Sequence, residues 1–518
     1  MNLMPGGLPV ETLPALTVYL LIGGSFTLIL FKALRVKASI LRVYSGLYLV
    51  FAVASALLIY LEARKSVLIY VVGGFPSLIG IAYEVDLFSA SMGLIIAVLS
   101  LAIYPLLGIL DSILNEYTMA LYLGLVAGLL GVTYTGDLFN SFVMLEVFTI
   151  SMLGLIAARN TVRAYKAALR YGLLALVTGL IYFLGATLMY FAVGALNMGY
   201  IATWNTRLFI LGKAIYASLP LESVILFILI LMTWSLIAEE ALVPLHFWLP
   251  EAYSAASPAV AGLLAGVSEA AGYYLLLRLY YTLYSAIPEP VALMLRVLGV
   301  ITIIIGGFGI LYSDRLLSMI SYSVILDTGY IAIAASLGPS GVPVVLAYVV
   351  AHAVVKPLLF ITGGWAVINR GNDKLISLQG VFRGSRIMQL GFVTGAVAVI
   401  GIPPTVLFSA KLELYINLFN AMGADPSLIL SLIVSLLGSG LALAGFIKAV
   451  SVTVLSYSDN VVRPRGVVEA YVLVFTIIVI ALGVAYSIVA QGFIEPASQS
   501  LIYGRLNYVM KALSAIGR

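Results

Sequence analysis

Six ionisable side chains lie inside long apolar segments of the sequence, where a charge is costly to bury. They are Glu146, Glu239, Glu269, His352, Lys356 and Lys411. Ionisable residues at the depth of a bilayer are rare, and they commonly mark ion pathways or proton relays. We therefore treat these residues as candidates for carrying a proton or a small cation across a membrane.

His352 and Lys356 lie four residues apart in the segment AYVVAHAVVKPLLFITGG, so on a helix they share one face. Histidine titrates near neutral pH, and a desolvated lysine loses its proton more easily than an exposed one. The spacing therefore predicts a proton relay. The alternative is a structural histidine beside a lysine whose ammonium group reaches the membrane surface.

Helix breaks accompany the acidic residues of the segment Leu236–Val260. The segment contains four ionisable residues and three prolines, namely Glu239, Glu240, His246, Glu251, Pro244, Pro250 and Pro258. Prolines leave backbone carbonyls without partners, which a membrane helix tolerates only inside protein or beside water. We expect a broken helix at an ion pathway. Adjacent helical residues point about 100° apart, so at most one of Glu239 and Glu240 faces the pathway directly, and His246 is a secondary candidate.

A second break is predicted at Gly401–Tyr415, where Pro403 and Pro404 precede Lys411. Glu413 follows two residues later as a secondary candidate. Two interrupted helices in corresponding places are typical of a transporter built from repeats, with its site at the breaks. We therefore expect Lys411 to lie beside the second break, within the membrane.

Three further carboxylates each allow two interpretations. Glu146, in LFNSFVMLEVFTISML, is either a pathway group or a lone buried acid with a structural partner. Glu269, in AGLLAGVSEAAGYYLLLR, lies among small residues that permit close packing, so it is a pathway group or a hydrogen-bonded clamp between helices. Asp327, in SYSVILDTGYIA, is a secondary candidate that suits a structural role equally well.

Composition places these residues in a polytopic membrane protein. Hydrophobic residues make up 63% of the 518-residue chain, charged residues make up 9%, and the mean hydropathy is +1.13. Apolar runs long enough to span a bilayer recur about 14 times. We therefore predict an all-α membrane protein with an extended surface hairpin between Glu62 and Ala90 and a short amphipathic tail over Gln491–Arg518.

Basic residues cluster in four loops, and counting the spans places all four clusters on one side of the membrane. By the positive-inside rule that side is cytoplasmic, which predicts a cell-membrane protein with both termini outside. The loop Asn197–Glu222 is then outside as well. Because the net charge of +5 is spread through the loops, we expect no nucleic-acid partner.

The chain has no cysteine and only two histidines. Iron–sulfur ligation by thiolates and disulfides are therefore excluded, and two histidines alone make no convincing haem or zinc site. We expect no cofactor and no metal in this chain. Any redox reaction that drives it must then take place in another subunit.

Several segments together resemble the family of proton-translocating antiporter-like subunits. They are TVRAYKAALRYGLLALVTGLIYFLGATLMY followed by GALNM, PLHFWLPEAYSAASP, DRLLSMISYS followed by GY, AHAVVKPLLFITGG and GIPPTVLFSAKL. The family includes the large subunits of Mrp cation/proton antiporters, their counterparts in respiratory complex I, and membrane subunits of archaeal hydrogenases and sulfur reductases. The resemblance extends from about Val71 to Leu455.

The resemblance implies a fold of 14 helices with two inverted five-helix repeats and a polar axis along the middle of the membrane. Residues 1–110 would form the N-terminal helices and hairpin, 111–285 and 286–456 the two repeats, and 457–518 the last helix and tail. Glu146 matches the glutamate of the family's fifth helix. His352 and Lys356 match polar positions of its eleventh helix, and Lys411 matches the lysine of its twelfth, at the outlet.

The sequence departs from the family pattern in its first half. Five residues before the first proline of the PxHxWLP-type segment the family usually has a lysine, and Glu239 stands at that place. Glu269 lies nearest to a lysine or histidine of the next helix. Three carboxylates in a low dielectric cannot all ionise, so we expect Glu146, Glu239 and Glu269 to share protons. Alternatively, they bind a hard cation such as Na⁺ through oxygen ligands.

The leading hypothesis is a non-redox subunit that moves H⁺, or exchanges Na⁺ for H⁺, beside other membrane subunits of an Mrp-like or complex I-like assembly. A redox module or an ion gradient would drive it, and an archaeal hydrogenase or sulfur reductase complex is the expected setting. One alternative is a diverged subunit that no longer pumps and only connects its neighbours. Another is a stand-alone transporter of a small organic solute.

Overall fold

The computed structural model describes residues 9–203, 221–459 and 462–515, except for the side chain of Glu269. Within these residues, 13 helices are long and apolar enough to cross a membrane. One further crossing consists of two shorter helices on either side of a break at residues 401–405. The architecture confirms the predicted all-α polytopic membrane protein, and the number of crossings agrees with the hydropathy.

Six long helices precede the first break. They are α1 (Leu13–Ala33), α2 (Ala38–Ala63), α3 (Leu87–Ile103, followed by the short helix Leu106–Ile109), α4 (Glu116–Tyr134), α5 (Leu138–Ala157) and α6 (Val162–Val193). Side chains cap the starts of α4, α5 and α6, where Asn115, Asp137 and Thr161 accept hydrogen bonds from backbone amides of the first turn. Polar residues therefore fix where these spans begin.

A β-hairpin connects α2 to α3. Its strands β1 (Leu68–Val71) and β2 (Ala82–Val85) pair antiparallel, with Leu68 opposite Val85. The predicted hairpin is therefore confirmed. All four residues of β2 are buried, however, so this strand does not lie at the surface as expected.

The first predicted break lies between two helices. Helix α7 (Leu221–Glu239) ends at the break, α8 (Trp248–Ala255) follows it, and α9 (Pro258–Leu283) returns across the bilayer. Ser257 caps α9 by accepting a hydrogen bond from the amide of Val260. Pro258 occupies the first helical turn, where its missing N–H would have had no partner in the helix. The prolines of this segment thus start a helix as well as end one.

Three helices follow α9, namely α10 (Glu289–Tyr312), α11 (Leu316–Ser336) and α12 (Gly341–Arg370). Helix α12 packs along α9, where Gly262 lies against Pro357 and Gly266 lies against Ala353. Small residues at these positions let the two backbones approach closely. The small-residue face predicted around Glu269 therefore does pack against a neighbouring helix.

The remaining helices are α13 (Arg386–Ile400), α14 (Val406–Ala421), α15 (Leu428–Val450), α16 (Gly466–Val484), α17 (Glu495–Tyr503) and α18 (Arg505–Ser514). Helices α13 and α14 flank the second break, as Pro403 and Pro404 predicted. Helices α17 and α18 form the predicted tail. The Ser77 hydroxyl donates to the carbonyl of Ala512 at 2.9 Å, so α18 lies over the hairpin. This cover explains why β2 is buried.

Contacts between loops define two faces of the protein. Arg163 and Arg315 each contact Asp373 at 2.8 Å, and Arg370 donates to Ser458 Oγ at 2.9 Å. The loops after α5, α10, α12 and α15 therefore lie on one face, which we call the basic face. The hairpin and α18 lie on the other, which we call the hairpin face. The predicted outer loop 197–222 falls largely outside the described residues.

Candidate functional site

A buried ion pair lies at the centre of the second half. Lys356 Nζ of α12 donates to Asp327 Oδ2 of α11 at 2.6 Å, and neither side chain is exposed. Nε2 of His352 lies 3.3 Å from the same carboxylate oxygen. Lys356 also donates to the carbonyl and the hydroxyl of Ser323, at 2.9 and 3.1 Å. The cationic and anionic groups are thus brought together away from water.

Helical periodicity explains how two helices build this cluster. His352 and Lys356 are four residues apart on α12, and Ser323 and Asp327 are four apart on α11, so each pair lies on one helix face. The two faces meet. Lys356 is enclosed and does not reach the membrane surface, which was the alternative to a relay. Asp327, a secondary candidate in the sequence, is the shared partner of both α12 residues.

Lys411 lies beside the second break, as predicted. Its Nζ donates to the carbonyl of Val399 at 2.7 Å and contacts Ser439 Oγ at 3.3 Å. The break provides this carbonyl, because α13 ends at Gly401 and its last carbonyls have no partner within the helix. Gly401 has a φ of 87°, and its Cα lies against the stem of Lys411. A residue with a side chain would be strained there and would displace the lysine.

Aromatic hydroxyl groups connect the two clusters. Tyr330 follows Asp327 by three residues on α11, and its ring centroid lies 4.6 Å from Lys411 Nζ. Its hydroxyl lies 3.1 Å from Ser439 Oγ, and the Tyr415 hydroxyl lies 3.0 Å from the same atom. Polar groups therefore extend from the Asp327 pair to Lys411 without leaving the protein interior.

Glu413 belongs to a different site. Residues two apart on a helix point about 200° apart, so Glu413 faces away from Lys411. Its carboxylate accepts a hydrogen bond from the Tyr486 hydroxyl, beyond the end of α16. The structure therefore does not bring this secondary candidate into the Lys411 cluster.

In the first half, Glu239 lies at the end of α7, next to the break. Its Oε2 accepts a hydrogen bond from the hydroxyl of Tyr171 of α6 at 3.0 Å. The Tyr171 ring packs on Trp248 with centroids 4.5 Å apart, and Trp248 Nε1 donates to the carbonyl of Ala238 at 2.9 Å. Residues of the break therefore hold the tyrosine that contacts Glu239.

Glu146 also contacts α6, at a different level. Its carboxylate lies against Gly179, where a larger side chain would collide with it. Gly179 lies eight residues after Tyr171, which corresponds to about 12 Å along the helix. Among the described residues neither Glu146 nor Glu239 forms an ion pair. Sharing of one proton between the two carboxylates stays a prediction.

The other ionisable residues of the first break point in separate directions. Glu240 is fully buried and packs against Gly272 of α9, so it and Glu239 face different helices, as their adjacency predicted. His246 is partly exposed in the loop before α8. Glu251 pairs with Arg170, and both are substantially exposed, so the sequence-based placement of Glu251 at membrane depth was wrong. Proline breaks bring this end of α8 to the basic face.

The position of Glu269 on α9 is described, but its side chain lies outside the described residues. Its contacts with the other carboxylates therefore stay a prediction. Among the described residues, no three histidine, aspartate or glutamate side chains converge in a way that could hold a metal ion. The expectation of no cofactor likewise stays a prediction.

Sequence reasoning missed the polar neutral partners of these sites, which are Tyr171, Ser323, Tyr330, Tyr415 and Ser439. Serine and tyrosine occur throughout the apolar segments, so their type alone carries no signal. The only available signal was spacing, since Ser323 lies four residues before Asp327 and Tyr330 three residues after it.

Known proteins resemble this chain over most of its length. A family model described as NADH:quinone oxidoreductase/Mrp antiporter, transmembrane, matches residues 135–441. NADH-quinone oxidoreductase subunit N of Desulforudis audaxviator is 30% identical over 363 residues, which cover 68% of this chain and 69% of that protein. A Na⁺/H⁺ antiporter protein of Alkalihalophilus pseudofirmus, itself one component of an antiporter, is 26% identical over 406 residues, which cover 76% and 78%.

Two solved structures share the fold. One chain belongs to the membrane-bound sulfane sulfur reductase, an archaeal respiratory membrane complex, with a TM-score of 0.85 and 23% identity. The other belongs to the Mrp complex from Dietzia sp. DQ12-45-1b, with a TM-score of 0.83 and 22% identity. Each alignment covers 97% of this chain and 99% of that chain. Because the family model covers more than half of the sequence, this chain belongs to the NADH:quinone oxidoreductase/Mrp antiporter transmembrane family.

Proposed function

We propose that this chain translocates H⁺, alone or in exchange for Na⁺, as a non-redox membrane subunit of a larger complex. The observation that carries the proposal is the buried Asp327–Lys356 pair, which continues through Tyr330 and Ser439 to Lys411. Such a chain of titratable and hydroxyl groups inside a membrane protein is suited to moving protons and is costly to maintain otherwise.

The energy of the buried pair is of the size that transport requires. Moving one charge against a membrane potential of about 150 mV costs about 3.5 kcal/mol. Removing one partner from a buried ion pair costs about 3–5 kcal/mol, because a charge is left uncompensated in a low dielectric. Making and breaking the Asp327–Lys356 contact could therefore drive proton uptake and release at the neighbouring groups.

We assign distinct roles to the candidate residues. Glu146, Glu239 and Glu269 take up protons or bind a cation in the first half. His352 and Lys356 relay protons in the second half, with Asp327 as their common partner, and Lys411 passes them to the exit. The two breaks lie at the ends of α7 and α13, and we propose that residues 111–285 and 286–456 are two inverted repeats.

The relatives and the structural neighbours are named as subunits or chains of multi-subunit assemblies. We therefore infer that this chain works beside other membrane subunits, coupled through them to a redox module or an ion gradient. An assembly of the archaeal hydrogenase or sulfur reductase type is the setting that we propose. The basic face would be cytoplasmic, with the hairpin face and both termini outside a cell membrane.

Ion flux in proteoliposomes of the intact complex tests the function. Lys411→Ala and Glu239→Gln would be compared with wild type, with Na⁺ present and with choline in its place. Lys374→Ala is the matched control, because Lys374 is exposed on the basic face. We expect both site variants to lose transport, while the control retains it, and the Na⁺ dependence would identify the ion. Unchanged flux in Lys411→Ala would contradict the proposal.

One observation favours a second function. The described part of the first half gives Glu239 a tyrosine partner and no cation, so this half could have lost its transport role. The chain would then connect its neighbours without pumping. Normal flux in both Glu239→Gln and Lys411→Ala, in a complex that falls apart when this chain is omitted, would support that second function.

A further inference from the structure

A buried acid on the hairpin face, Glu84 of β2, takes part in neither cluster described above. Its side chain is fully buried, and neither carboxylate oxygen has a hydrogen-bond partner among the described residues. An ionised carboxylate without donors is costly to bury. Such a group therefore keeps a proton or is solvated by enclosed water.

Four charged or titratable groups surround Glu84, from three different elements. At the start of α3, Asp86 accepts a 2.5 Å hydrogen bond from Arg278 Nη2 of α9, and both side chains are almost fully buried. Tyr508 of α18 covers the guanidinium at 4.7 Å from its ring centroid. Lys511, one turn later on α18, acts on Glu84 through its charge. Arg278 is thus committed to Asp86, and Glu84 has no ion pair of its own among the described residues.

The space beside Glu84 is kept open by a glycine. A Cβ atom added to Gly136 would lie 2.9 Å from Oε2 of Glu84 and 3.2 Å from the hydroxyl of Tyr508. Within the described residues this hydroxyl also has no hydrogen-bond partner. Several polar atoms without protein partners around one small space are the surroundings in which buried water is found.

Polar contacts link this pocket to the interior of the protein. Arg278 Nη2 donates to Ser89 Oγ at 2.9 Å, and Ser89 Oγ lies 2.7 Å from the hydroxyl of Tyr274. Tyr274 lies two residues after Gly272 on α9, and Glu240 packs against Gly272. Helix α9 therefore carries polar groups from the level of the first break toward the hairpin face.

A cavity links the same pocket to the hairpin face. It has a volume of about 520 Å³ and lies between the N-terminal turn, β1 and the end of α18. Glu11, Tyr70 and Lys511 are among its lining residues. Lys511 thus faces the cavity and influences Glu84, which places the carboxyl group close to the solution on this side.

We propose that Glu84 is a proton-holding site that exchanges its proton with the hairpin-face solution, at the end of a polar route along α9. In release, the O–H bond of the carboxyl breaks, the proton passes to water in the cavity, and the carboxylate remains beside Arg278 and Lys511. Reloading returns a proton from water along the α9 route. Burial raises the pKa of Glu84 well above its usual range, and the charges of Arg278 and Lys511 oppose this only in part, while that of Asp86 adds to it.

This proposal rests on the proposed function in one respect, since a proton route matters only in a chain that moves protons. It differs from the Lys411 exit in position. Protons, or the counter-movement of protons during cation exchange, would pass on the hairpin face through the first half as well.

Infrared difference spectroscopy of the intact complex tests proton holding without transport. Wild type is compared in acidic and alkaline buffer, and the carbonyl band of a protonated carboxylic acid is followed. We expect a band that Glu84→Gln removes and that Glu289→Gln retains, since Glu289 is 77% exposed on the same face. Glu84→Asp should restore a shifted band. Spectra of wild type and Glu84→Gln that do not differ would overturn the proposal.

Flux measurements then test the route. Glu84→Gln should lower proton transport by about tenfold or more, Glu84→Asp should recover part of it, and Glu289→Gln should leave it unchanged. Unchanged flux in Glu84→Gln, with Lys411→Ala inactive, would overturn the route while the proposed function stands. Loss of the infrared band on replacing choline by Na⁺ at constant pH would overturn it differently, because the site would then bind a cation. Normal flux in Lys411→Ala would refute the proposed function without bearing on the band.

Discussion

Lys356 Nζ lies 2.6 Å from Asp327 Oδ2, with both side chains fully enclosed between α11 and α12. The same carboxylate oxygen lies 3.3 Å from His352 Nε2. A lysine and a histidine therefore compete for one acceptor in a low dielectric. Which of them holds the aspartate decides where the positive charge resides.

Asp327→Asn should abolish transport and destabilise the protein by about 3–5 kcal/mol, because Lys356 would be left buried without a counter-charge. Flux in proteoliposomes and the thermal stability of the purified complex would measure the two effects. Asp314→Asn is the control, since Asp314 is 90% exposed.

A double substitution separates charge from packing. Replacing Asp327 by Asn and Lys356 by Met together removes both charges, so most of the lost stability should return while transport stays absent. A double variant that is no more stable than Asp327→Asn alone would contradict the ion-pair account.

Ser439→Ala should slow transport severalfold. The Ser439 hydroxyl contacts Lys411 Nζ at 3.3 Å and the hydroxyls of Tyr330 and Tyr415 at 3.1 and 3.0 Å. Each hydrogen bond contributes about 1 kcal/mol, so removing their common atom disturbs the link between the two clusters. Ser431→Ala, buried on the same helix two turns earlier, should transport normally. Equal rates for the two variants would argue against a role for Ser439.

Tyr171→Phe tests the first half with little change in packing. The phenylalanine ring can still stack on Trp248, so only the hydrogen bond to Glu239 is lost. If Glu239 works in the pathway, flux should fall while the thermal stability changes by about 1 kcal/mol or less. Tyr182→Phe on the same helix loses a hydroxyl contact with Ser141 and serves as the control. Normal flux in Tyr171→Phe would leave the first half without evidence of a transport role.

The contact of Asp373 with Arg163 and Arg315 should make stability depend on pH. Burial tends to raise the pKa of Asp373, but hydrogen bonds and charges from the two arginines outweigh it and lower the pKa below its usual range. A carboxylate with a lowered folded-state pKa adds stability above its unfolded pKa of about 4, and this stability is lost as the pH falls through the folded value.

Asp373→Asn should therefore lower the stability at neutral pH by about 1 kcal/mol, a modest figure because both arginines are nearly half exposed. The difference from wild type should shrink below about pH 4. Melting temperatures of the complex at several pH values would measure it, with the exposed Asp459→Asn as control. A destabilisation independent of pH would show that the two arginines do not hold the carboxylate in its charged form.

Much of the fold and part of the site could be predicted from local sequence. Hydropathy located the spans, Pro244 and the pair Pro403 and Pro404 located the breaks, and the four-residue spacing of His352 and Lys356 placed them on one face. Each of these properties depends on residues close together in the chain. Glu251 was misplaced because the distance of a break from the membrane surface depends on how the flanking helices are shifted along their axes.

The partners of the charged residues could not be predicted in the same way. Asp327 and Lys356 are 29 residues apart, and Tyr171 and Glu239 are 68 apart, on helices whose rotation about their own axes is set by packing. Gly179 and Gly272 show the same dependence, since each receives a carboxylate from another helix. The hairpin was readable from its own residues, but its cover by α18 required the tail to fold back over more than 400 residues of chain.

The sequence by itself determined that this chain is a many-span membrane protein with two broken helices and a set of buried ionisable groups, because hydropathy, proline and helical spacing act locally. Tertiary structure decided which of those groups meet. It made Asp327 the centre of the second half, gave Glu239 a tyrosine, turned Glu413 away from Lys411 and enclosed Glu84 beneath the tail. In a bilayer, apolar surface favours no particular helix rotation, so close packing and the pairing of polar groups fix these relationships.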